Sequence, residues 1–263
     1  MNQKRNEIAV SESIGYIIMF SLIVTGIGLV TLYGYPELMK NQISADERNM
    51  EQNMITLQND IKLLTYSNIP YRDTSMRISG GSLSVLNSTE TGSDLGFKVE
   101  WLNSTGGSQS FETKCGEIRY VSDAGEAVIS FSNGAVLKRY ELQTGSFMIA
   151  EPRWFYDEDA RTLVLFFINI TSPSHMSLNG IGNIQMSSEG LPMVNDSSVG
   201  GTDNPVIIKY NSDSQDYYST AWENYLLSSS ISEDISKTGY NEYTIKYVDR
   251  LIIKTYTISI DNI

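Results

Sequence analysis

Twenty-four consecutive residues near the start of the chain, Ser13 to Pro36, carry no charged side chain, and most of them are large and apolar. Because an α-helix rises about 1.5 Å per residue, this run reaches about 35 Å, enough to cross a hydrocarbon core of about 30 Å. Everything after Glu37 is polar and acidic, with strand-like segments. The chain therefore predicts one membrane-anchoring helix followed by one exported globular domain.

The charges beside this apolar run predict its orientation. Lys4 and Arg5 lie on the short N-terminal side, and basic residues favour the cytoplasmic side of a membrane. We therefore expect a cytoplasmic N-terminus and an extracellular domain beyond Glu37. A cleaved secretory signal has a shorter apolar stretch followed by a small-x-small site, which this sequence lacks. Two interpretations stay open: a plain signal-anchor, and an anchor that is also processed on its cytoplasmic side.

The residues ahead of the apolar run resemble the start of a known family. Ala9-Val10-Ser11-Glu12-Ser13-Ile14-Gly15, followed by an apolar helix, is similar to the start of archaeal type IV pilin-like proteins with a class III signal peptide. In that family a prepilin peptidase removes a short polar leader directly before the hydrophobic helix. The resemblance implies a leader over residues 1–9, cleavage between Ala9 and Val10, and a membrane-spanning or filament-core helix over 10–36.

Glu12, at the edge of the apolar run, has two interpretations. A carboxylate at the centre of a membrane helix costs about 2.5–3.5 kcal/mol, but near the headgroups the cost is far smaller, and the positive end of the helix favours the charge. Glu12 could therefore be an interfacial carboxylate with no partner. By the resemblance, it would instead contact a neighbouring subunit and neutralise that subunit's free amino terminus.

The sequence from 37 to 66 predicts a second, amphipathic stretch of helix. Its apolar residues recur at intervals of seven, four, three, four and three, which is typical of one helix face. This apolar stripe consists of Ile43, Met50, Met54, Leu57, Ile61 and Leu64. Pro36 is expected to end or kink the helix between the two halves. The combination again resembles pilins, which implies packing under a sheet; a short stalk that packs on nothing else is the alternative.

Residues 67–263 change to short alternating strands separated by turns, which predicts a β-rich head domain. Asn133-Gly134 is the strongest hairpin signal, and Gly80-Gly81 is expected to turn a first hairpin. A last hairpin is expected from Tyr243–Val248 and Arg250–Ile260. The apolar run Thr162–Ile170 predicts a central strand covered on both faces.

Two further segments of the head carry predictions. Asp216 to Leu227 has the pattern of an amphipathic helix, and the turn-rich stretch from Met186 to Asn204 is the expected mobile loop. The patterns together predict an α+β fold, in which a long N-terminal helix packs on an antiparallel β-sheet head domain. Cys115 is the one cysteine, so we expect no intrachain disulfide and a buried thiol.

Signatures of catalysis and of cofactor binding are missing from the sequence. The single histidine, His175, follows Ser-Pro-Ser and is expected to be solvated, and no Gly-x-Ser-x-Gly, phosphate loop or dinucleotide fingerprint is present. Asp157-Glu158-Asp159 lacks the alternating oxygen-ligand pattern of a calcium loop and is expected to be an exposed turn. We therefore expect neither an enzyme nor a bound cofactor.

The charge of the chain excludes one class of partner and suits a surface location. A net charge of −12 and a pI near 4.5 argue against nucleic acid, whose phosphates would be repelled. Candidate N-glycosylation sites are Asn87, Asn103 and Asn195, each in a predicted turn. A fourth sequon, at Asn169, closes the most apolar strand and is expected to be hidden.

Two functions of different classes remain. The resemblance implies a structural cell-surface protein, a minor subunit of an archaeal type IV pilus-like assembly, with prepilin peptidase and other pilin subunits as partners. The alternative is a single-pass membrane-anchored surface module that binds a ligand or partner and forms no filament. A mature chain beginning at Val10 favours the first, and one that keeps Met1 favours the second.

Overall fold

The computed structural model describes residues 3–67, 69–88, 96–125, 127–141, 145–211, 218–228, 231–232 and 234–263, with only the backbone described for 3–13. It divides into two compact units, Met1–Asp46 and Glu47–Ile263. The helices are α1 (Gln3–Leu29), a π-helical turn (Val30–Gly34), α2 (Tyr35–Tyr66) and α3 (Ser219–Leu226). The strands are β1 (Tyr71–Leu86), β2 (Gly96–Asn103), β3 (Ser108–Lys114), β4 (Glu117–Ser122), β5 (Ala127–Ser132), β6 (Ala135–Tyr140), β7 (Ser146–Ala150), β8 (Phe155–Asp157), β9 (Thr162–Thr171), β10 (Met176–Ser188), β11 (Met193–Gly200), β12 (Val206–Asn211), β13 (Ile235–Gly239), β14 (Glu242–Ile245) and β15 (Arg250–Asn262).

The strands of the described chain form one hydrogen-bonded network, which confirms the α+β class. Their order is β13-β14-β12-β2-β11-β15-β10-β1-β4-β5-β6-β7, with β3 on β2, β9 on β15 and β8 on β9. Every described pair is antiparallel except one. The exception is β9 with β15, which run parallel from Arg250↔Thr162 to Ser259↔Thr171. The expectation of an antiparallel sheet therefore holds apart from this pair.

Strand β9 is covered on both faces, as its apolar run predicts, and every residue from Leu163 to Ile168 is buried. Its neighbours are β15 on one side and the three-residue β8 on the other. The strand is therefore buried, but it is not central in the hydrogen-bonding order. The strand is buried by side chains that lie above and below it, and an apolar run in a sequence indicates this kind of burial.

The hairpin predicted at Asn133-Gly134 is confirmed. It joins β5 to β6, which pair from Ala127↔Tyr140 to Ser132↔Ala135. Both turn residues have positive φ, 49° for Asn133 and 76° for Gly134, as a two-residue type I′ turn requires. The side-chain oxygen of Asn133 also accepts a hydrogen bond from the N–H of Ile168 at 3.1 Å, which ties this turn to β9.

The hairpin predicted at Gly80-Gly81 is wrong, because both glycines lie inside the sixteen-residue strand β1. They occupy a register shift between Ile78 and Leu83, where Gly80 has φ 63°. A Cβ on Gly81 would lie 2.3 Å from the carbonyl oxygen of Val121 on β4. The glycine pair therefore permits a bulge and a close approach of two backbones. Glycine pairs are typical of both bulges and turns, so the sequence alone does not distinguish the two.

The predicted last hairpin is also wrong. Strand β14 pairs with β13 and β12, whereas β15 pairs with β9, β10 and β11. The link between them is held by other loops: Tyr247 donates its N–H to Asp203 at 2.7 Å, and Asp249 donates to Arg161 at 2.8 Å. This link contains no tight-turn dipeptide, so it carries the chain across to another part of the sheet.

Of two other predicted segments, the loop differs from the structure and the helix agrees with it. The stretch expected to be a mobile loop contains the end of β10 and all of β11, with only Glu189–Pro192 between them. Its polar residues face outward from a paired strand, since Asn195 and Asp196 are exposed yet lie in register with β15. The predicted helix is confirmed over Ser219–Leu226, and its first predicted residues lie outside the described chain.

The core of the head consists of two apolar clusters. One lies among β2, β9, β12, β15 and α3 and is rich in aromatic rings; the ring centroids of Phe97 and Trp222 are 4.7 Å apart. The other joins the second half of α2 to β1, β4, β5 and β10. Cys115 is buried in the first cluster, as expected, and burial raises the pKa of its thiol.

Candidate anchor helix and its attachment to the head

The first unit exposes a long apolar surface. Seventeen large apolar side chains between Ile14 and Met39 are each at least 40% exposed. Monomeric soluble proteins rarely expose contiguous apolar patches of more than a few hundred Å². By length and composition, the helix from Ile14 to Tyr66 could cross a membrane. This N-terminal apolar helix is compatible with membrane anchoring, and its surface suits a covering of lipid or of other helices.

Two hydroxyl groups within the apolar stretch form hydrogen bonds inside the helix itself. The hydroxyl of Thr25 donates to the carbonyl oxygen of Ser21 at 2.7 Å, and that of Thr31 donates to Ile27 at 2.9 Å. In hydrocarbon an unsatisfied polar group costs several kcal/mol. These two hydroxyls therefore do not require a partner outside the helix.

The helix does not end at Pro36, contrary to one of the two expected outcomes. It passes through the π-helical turn, in which Tyr35 donates its N–H to the carbonyl oxygen of Val30, five residues back, and then continues as α2. Proline lacks an N–H, and in a regular helix its ring clashes with the carbonyl four residues earlier. The wider turn directly before Pro36 accommodates the ring without breaking the helix.

The residues predicted for processing and subunit contact lie on α1. Ala9, Val10 and Glu12 have helical backbones within Gln3–Leu29, and their side chains lie outside the described part of the chain. Met1 and Asn2 lie outside it entirely. The predictions of cleavage and of a contact by Glu12 therefore stay predictions.

The apolar stripe on α2 is part of the head's core. Met50, Met54, Leu57, Ile61 and Leu64 are each at most 2% exposed and belong to one cluster with residues of β1, β4, β5 and β10. The predicted packing of this helix under a sheet is confirmed for these five residues, and a free stalk is excluded for them. Ile43 was expected in the same contact, but it lies in the first unit and is only half-buried.

A buried ionic cluster that the sequence did not predict attaches α2 to β6. The ammonium of Lys138 donates to Glu47 at 2.9 Å and to Glu51 at 2.8 Å; we call these three residues the buried triad. Burial alone would lower the pKa of Lys138, but its hydrogen bonds to Glu51 and Glu47 outweigh burial and raise it. The available signal was a pair of glutamates four residues apart on a helix face, with a lysine inside an apolar strand.

Polar contacts continue along the same helix. The side-chain amide of Gln58 donates to the carbonyl oxygens of Gly134 at 2.7 Å and Glu151 at 3.0 Å. Asp60 accepts hydrogen bonds from Arg72 at 2.5 Å and from Thr74 at 2.7 Å. Each of these helix residues is buried and pairs with a strand or a turn, so their geometry fixes the position of α2 on the sheet.

The predicted glycosylation asparagines occupy different settings. Asn87 is half-buried and donates its amide to the carbonyl oxygen of Ser172 at 2.8 Å. Asn103 is at the end of β2, where its side-chain oxygen accepts from the hydroxyl of Thr105 at 2.8 Å. Asn195 lies within β11, not in the expected turn, and is exposed. Asn169 is half-buried and accepts from Thr113 at 2.9 Å.

No cluster of three or more metal-binding His, Cys, Asp or Glu side chains occurs among the described residues. His175 is exposed, as expected, and the exposed residues Asp157–Asp159 begin at the last residue of β8 and continue into a turn.

Comparison with known proteins places the anchor and the head in one family. A family model described as a family of unknown function, DUF7289, matches residues 9–261. No curated protein and no solved structure matches the chain. The matched range includes the apolar helix, the amphipathic helix and the whole sheet. The chain therefore belongs to DUF7289, a family whose function is unknown.

Proposed function

We propose that this protein is a pilin-like subunit, of the minor type, in an archaeal type IV pilus-like assembly. The observation that carries the proposal is the unequal burial along one helical stretch. Its first part exposes seventeen large apolar side chains, whereas the last five residues of the apolar stripe on α2 are buried in the head. Such a helix can insert into lipid or pack among the helices of other subunits while its head remains folded.

The attachment of α2 to the head supports this role mechanically. In a filament, a load on the helix would be passed to the sheet through the apolar stripe, the buried triad and the bonds of Gln58. A flexible linker would pass no such load. The hydroxyls of Thr25 and Thr31 are satisfied within the helix, so these two groups suit either a lipid or a protein surrounding.

Cleavage of the leader at the N-terminus would expose an amino group through which the helix can contact another subunit. On this proposal, prepilin peptidase cleaves between Ala9 and Val10 on the cytoplasmic side, and the head lies outside the cell. The new amino group has an ordinary pKa near 8 and is therefore positive at neutral pH. Its attraction to Glu12 of another subunit, in surroundings of low dielectric, would favour one stagger between neighbouring helices.

The N-terminus of the mature protein tests the proposal directly. Protein isolated from the native cell should begin at Val10 by N-terminal sequencing and by intact mass. Ala9→Trp should block the peptidase and leave a slower-migrating membrane-bound precursor, whereas Ala9→Gly, the matched control, should be cleaved. Retention of Met1 in the wild-type protein would instead establish the single-pass surface module.

A further inference from the structure

A group of cations and aromatic rings lies on one face of β9 and β15, beside the C-terminal end of α2. We call it the cation–aromatic patch. Its members are Lys62, Tyr66, Arg153, Phe166, Lys254 and Tyr256. Lys62 and Tyr66 lie on α2, but no member of the patch belongs to the apolar stripe or the buried triad or is bonded to Gln58. The patch therefore stands apart from the pilin proposal.

Three packed rings form the base of the patch. The ring centroids of Tyr66 and Phe166 are 5.2 Å apart, and those of Tyr66 and Tyr256 are 5.6 Å apart, both edge to face. The guanidinium carbon of Arg153 lies 4.7 Å from the Tyr66 centroid and 5.2 Å from that of Phe166. The ammonium of Lys254 lies 5.7 Å from Phe166. Contact with aromatic faces attracts both cations and holds them in place.

The cations of the patch lack acidic partners within the part of the chain that the structure describes. Nine other lysines and arginines there have a carboxylate within 4 Å, but Lys62, Arg153 and Lys254 have none. Burial and the positive charge of Arg153 together lower the pKa of Lys62, so these two cations repel each other. In a protein of net charge −12, this is positive charge that an external anion can neutralise.

The strand pairing and the charge around the patch limit the chemical class of anion that it can bind. Strand β9 is paired on both sides, by β8 and β15, and β15 is paired by β9 on one side and by β10 and β11 on the other. Among the described strands of the patch, only β8 has an edge without a partner, and its three residues offer little length for an extended peptide to pair with. Three cations suit a ligand of sparse charge, because a dense polyphosphate would be repelled by the acidic molecule as a whole.

The geometry points to an acidic saccharide: we propose that the cation–aromatic patch binds a sugar ring that carries a carboxylate. Arg153 and Lys254 pair with the carboxylate, and a stacked guanidinium presents its donors in the fork geometry that carboxylates accept. Tyr66, Tyr256 and the 41%-exposed Phe155, whose ring is 6.3 Å from that of Phe166, supply apolar area for the carbon face of the sugar ring.

Calorimetric titration of the full chain in detergent micelles tests this proposal. The probe is trigalacturonate, and the matched ligand is its fully methyl-esterified form, which keeps the rings and loses the charge. The acid form should bind, and Arg153→Gln should weaken it by about tenfold or more, as expected for loss of a charge-assisted hydrogen-bonding partner. Lys254→Gln should weaken it less. Lys237→Gln, which removes an exposed cation paired with Glu223, should leave the affinity unchanged.

Other results would overturn the proposal. Equal binding of the methyl ester would show that the cations do not contribute to the affinity. Equal binding of triglutamate or of a short oligothymidylate would show that the patch does not select a saccharide. An Arg153→Gln protein that melts like the parent and binds trigalacturonate equally would place the ligand elsewhere. Because the measurement does not depend on filaments or on cleavage, its failure would leave the pilin proposal untouched.

Discussion

At the scale of single residues, Lys138 shows how this head tolerates a buried charge. Its side chain is 5% exposed, and those of Glu47 and Glu51 are 9% and 25% exposed. Two carboxylates and the ring of Tyr140, 4.9 Å away, surround the ammonium. A buried charge that keeps its partners is tolerated, whereas removal of one partner leaves the other uncompensated.

Lys138→Met should destabilise the head by about 3 kcal/mol, because Glu47 would stay buried without a counter-charge. Burial opposes the raised pKa of Lys138, but its carboxylate partners prevail. Because the folded-state pKa is raised, this stabilisation is present in full below pH 10.5, the ordinary lysine value, and decreases progressively as the pH rises from there through the folded-state pKa. Urea unfolding in micelles between pH 6 and 11 measures both effects.

The control for Lys138→Met is Lys237→Met, which removes one member of a pair whose side chains are 39% and 32% exposed. Such exposed pairs contribute at most about 1 kcal/mol. Equal losses in the two variants at neutral pH would show that the buried triad has no special role.

Glu12→Ala tests the proposed subunit contact. Cleavage before Val10 should proceed, since the cut precedes the changed residue, but incorporation into sheared filaments should fall because a neighbour's amino group loses its counter-charge. Quantitative immunoblots of filament and membrane fractions measure this. Glu7→Ala is the matched control, because Glu7 belongs to the proposed leader and is absent from the processed subunit. A Glu12→Ala protein that assembles like the parent would contradict the contact.

At the scale of elements, α2 is the part of the molecule whose burial the sequence predicts best. Its five buried apolar residues recur at helical spacing and pack on a sheet whose inner face is formed by every second residue of a strand, such as Met76 and Ile78 on β1. Between these contacts, Gln58 and Asp60 bind strand and turn atoms. The helix is therefore integral to the core of the head.

Leu57→Asp should destabilise the head by about 3–5 kcal/mol, because it places an unpaired carboxylate in a fully buried contact and removes apolar area. Leu57 is 0% exposed. Asn59→Asp introduces the same charge two residues away at an exposed position and should change stability by less than about 0.5 kcal/mol. Thermal melting of both variants provides the measurement, and equal melting would show that this contact does not stabilise the head.

At the scale of the whole molecule, orientation in the membrane is the testable property. Lys4 and Arg5 precede an uncharged apolar run, which favours a cytoplasmic N-terminus and an external head. Protease added to intact cells should therefore digest the head, and a tag placed before Lys4 should be protected until the cells are lysed. Protection of the head together with digestion of the tag would reverse the orientation.

Hydrophobic periodicity predicted the elements of this fold but not their partners. The apolar stripe, strand β9, the Asn133-Gly134 turn and the core of α3 each follow from local pattern. The bulge at Gly80-Gly81 could not be predicted from local pattern, since a bulge and a turn both require glycine. The buried triad joins Glu47 and Glu51 to Lys138, and the cation–aromatic patch joins residues between 62 and 256. Local pattern contains no information on such contacts between separate elements.

The parallel pairing of β9 with β15 has a consequence for the order in which this molecule can be built. Strand β15 follows every other strand along the chain, yet it joins β9, β10 and β11, and its ten-residue ladder with β9 links positions 88 residues apart. Contacts so distant along the chain form late and slowly. On the proposed topology, in which the chain leaves the cytoplasm helix first, the head would reach its native state only after strand β15 has crossed the membrane. Until then the edge of β9 that pairs with β15 would be exposed, and on that topology it would require protection from aggregation outside the cytoplasm.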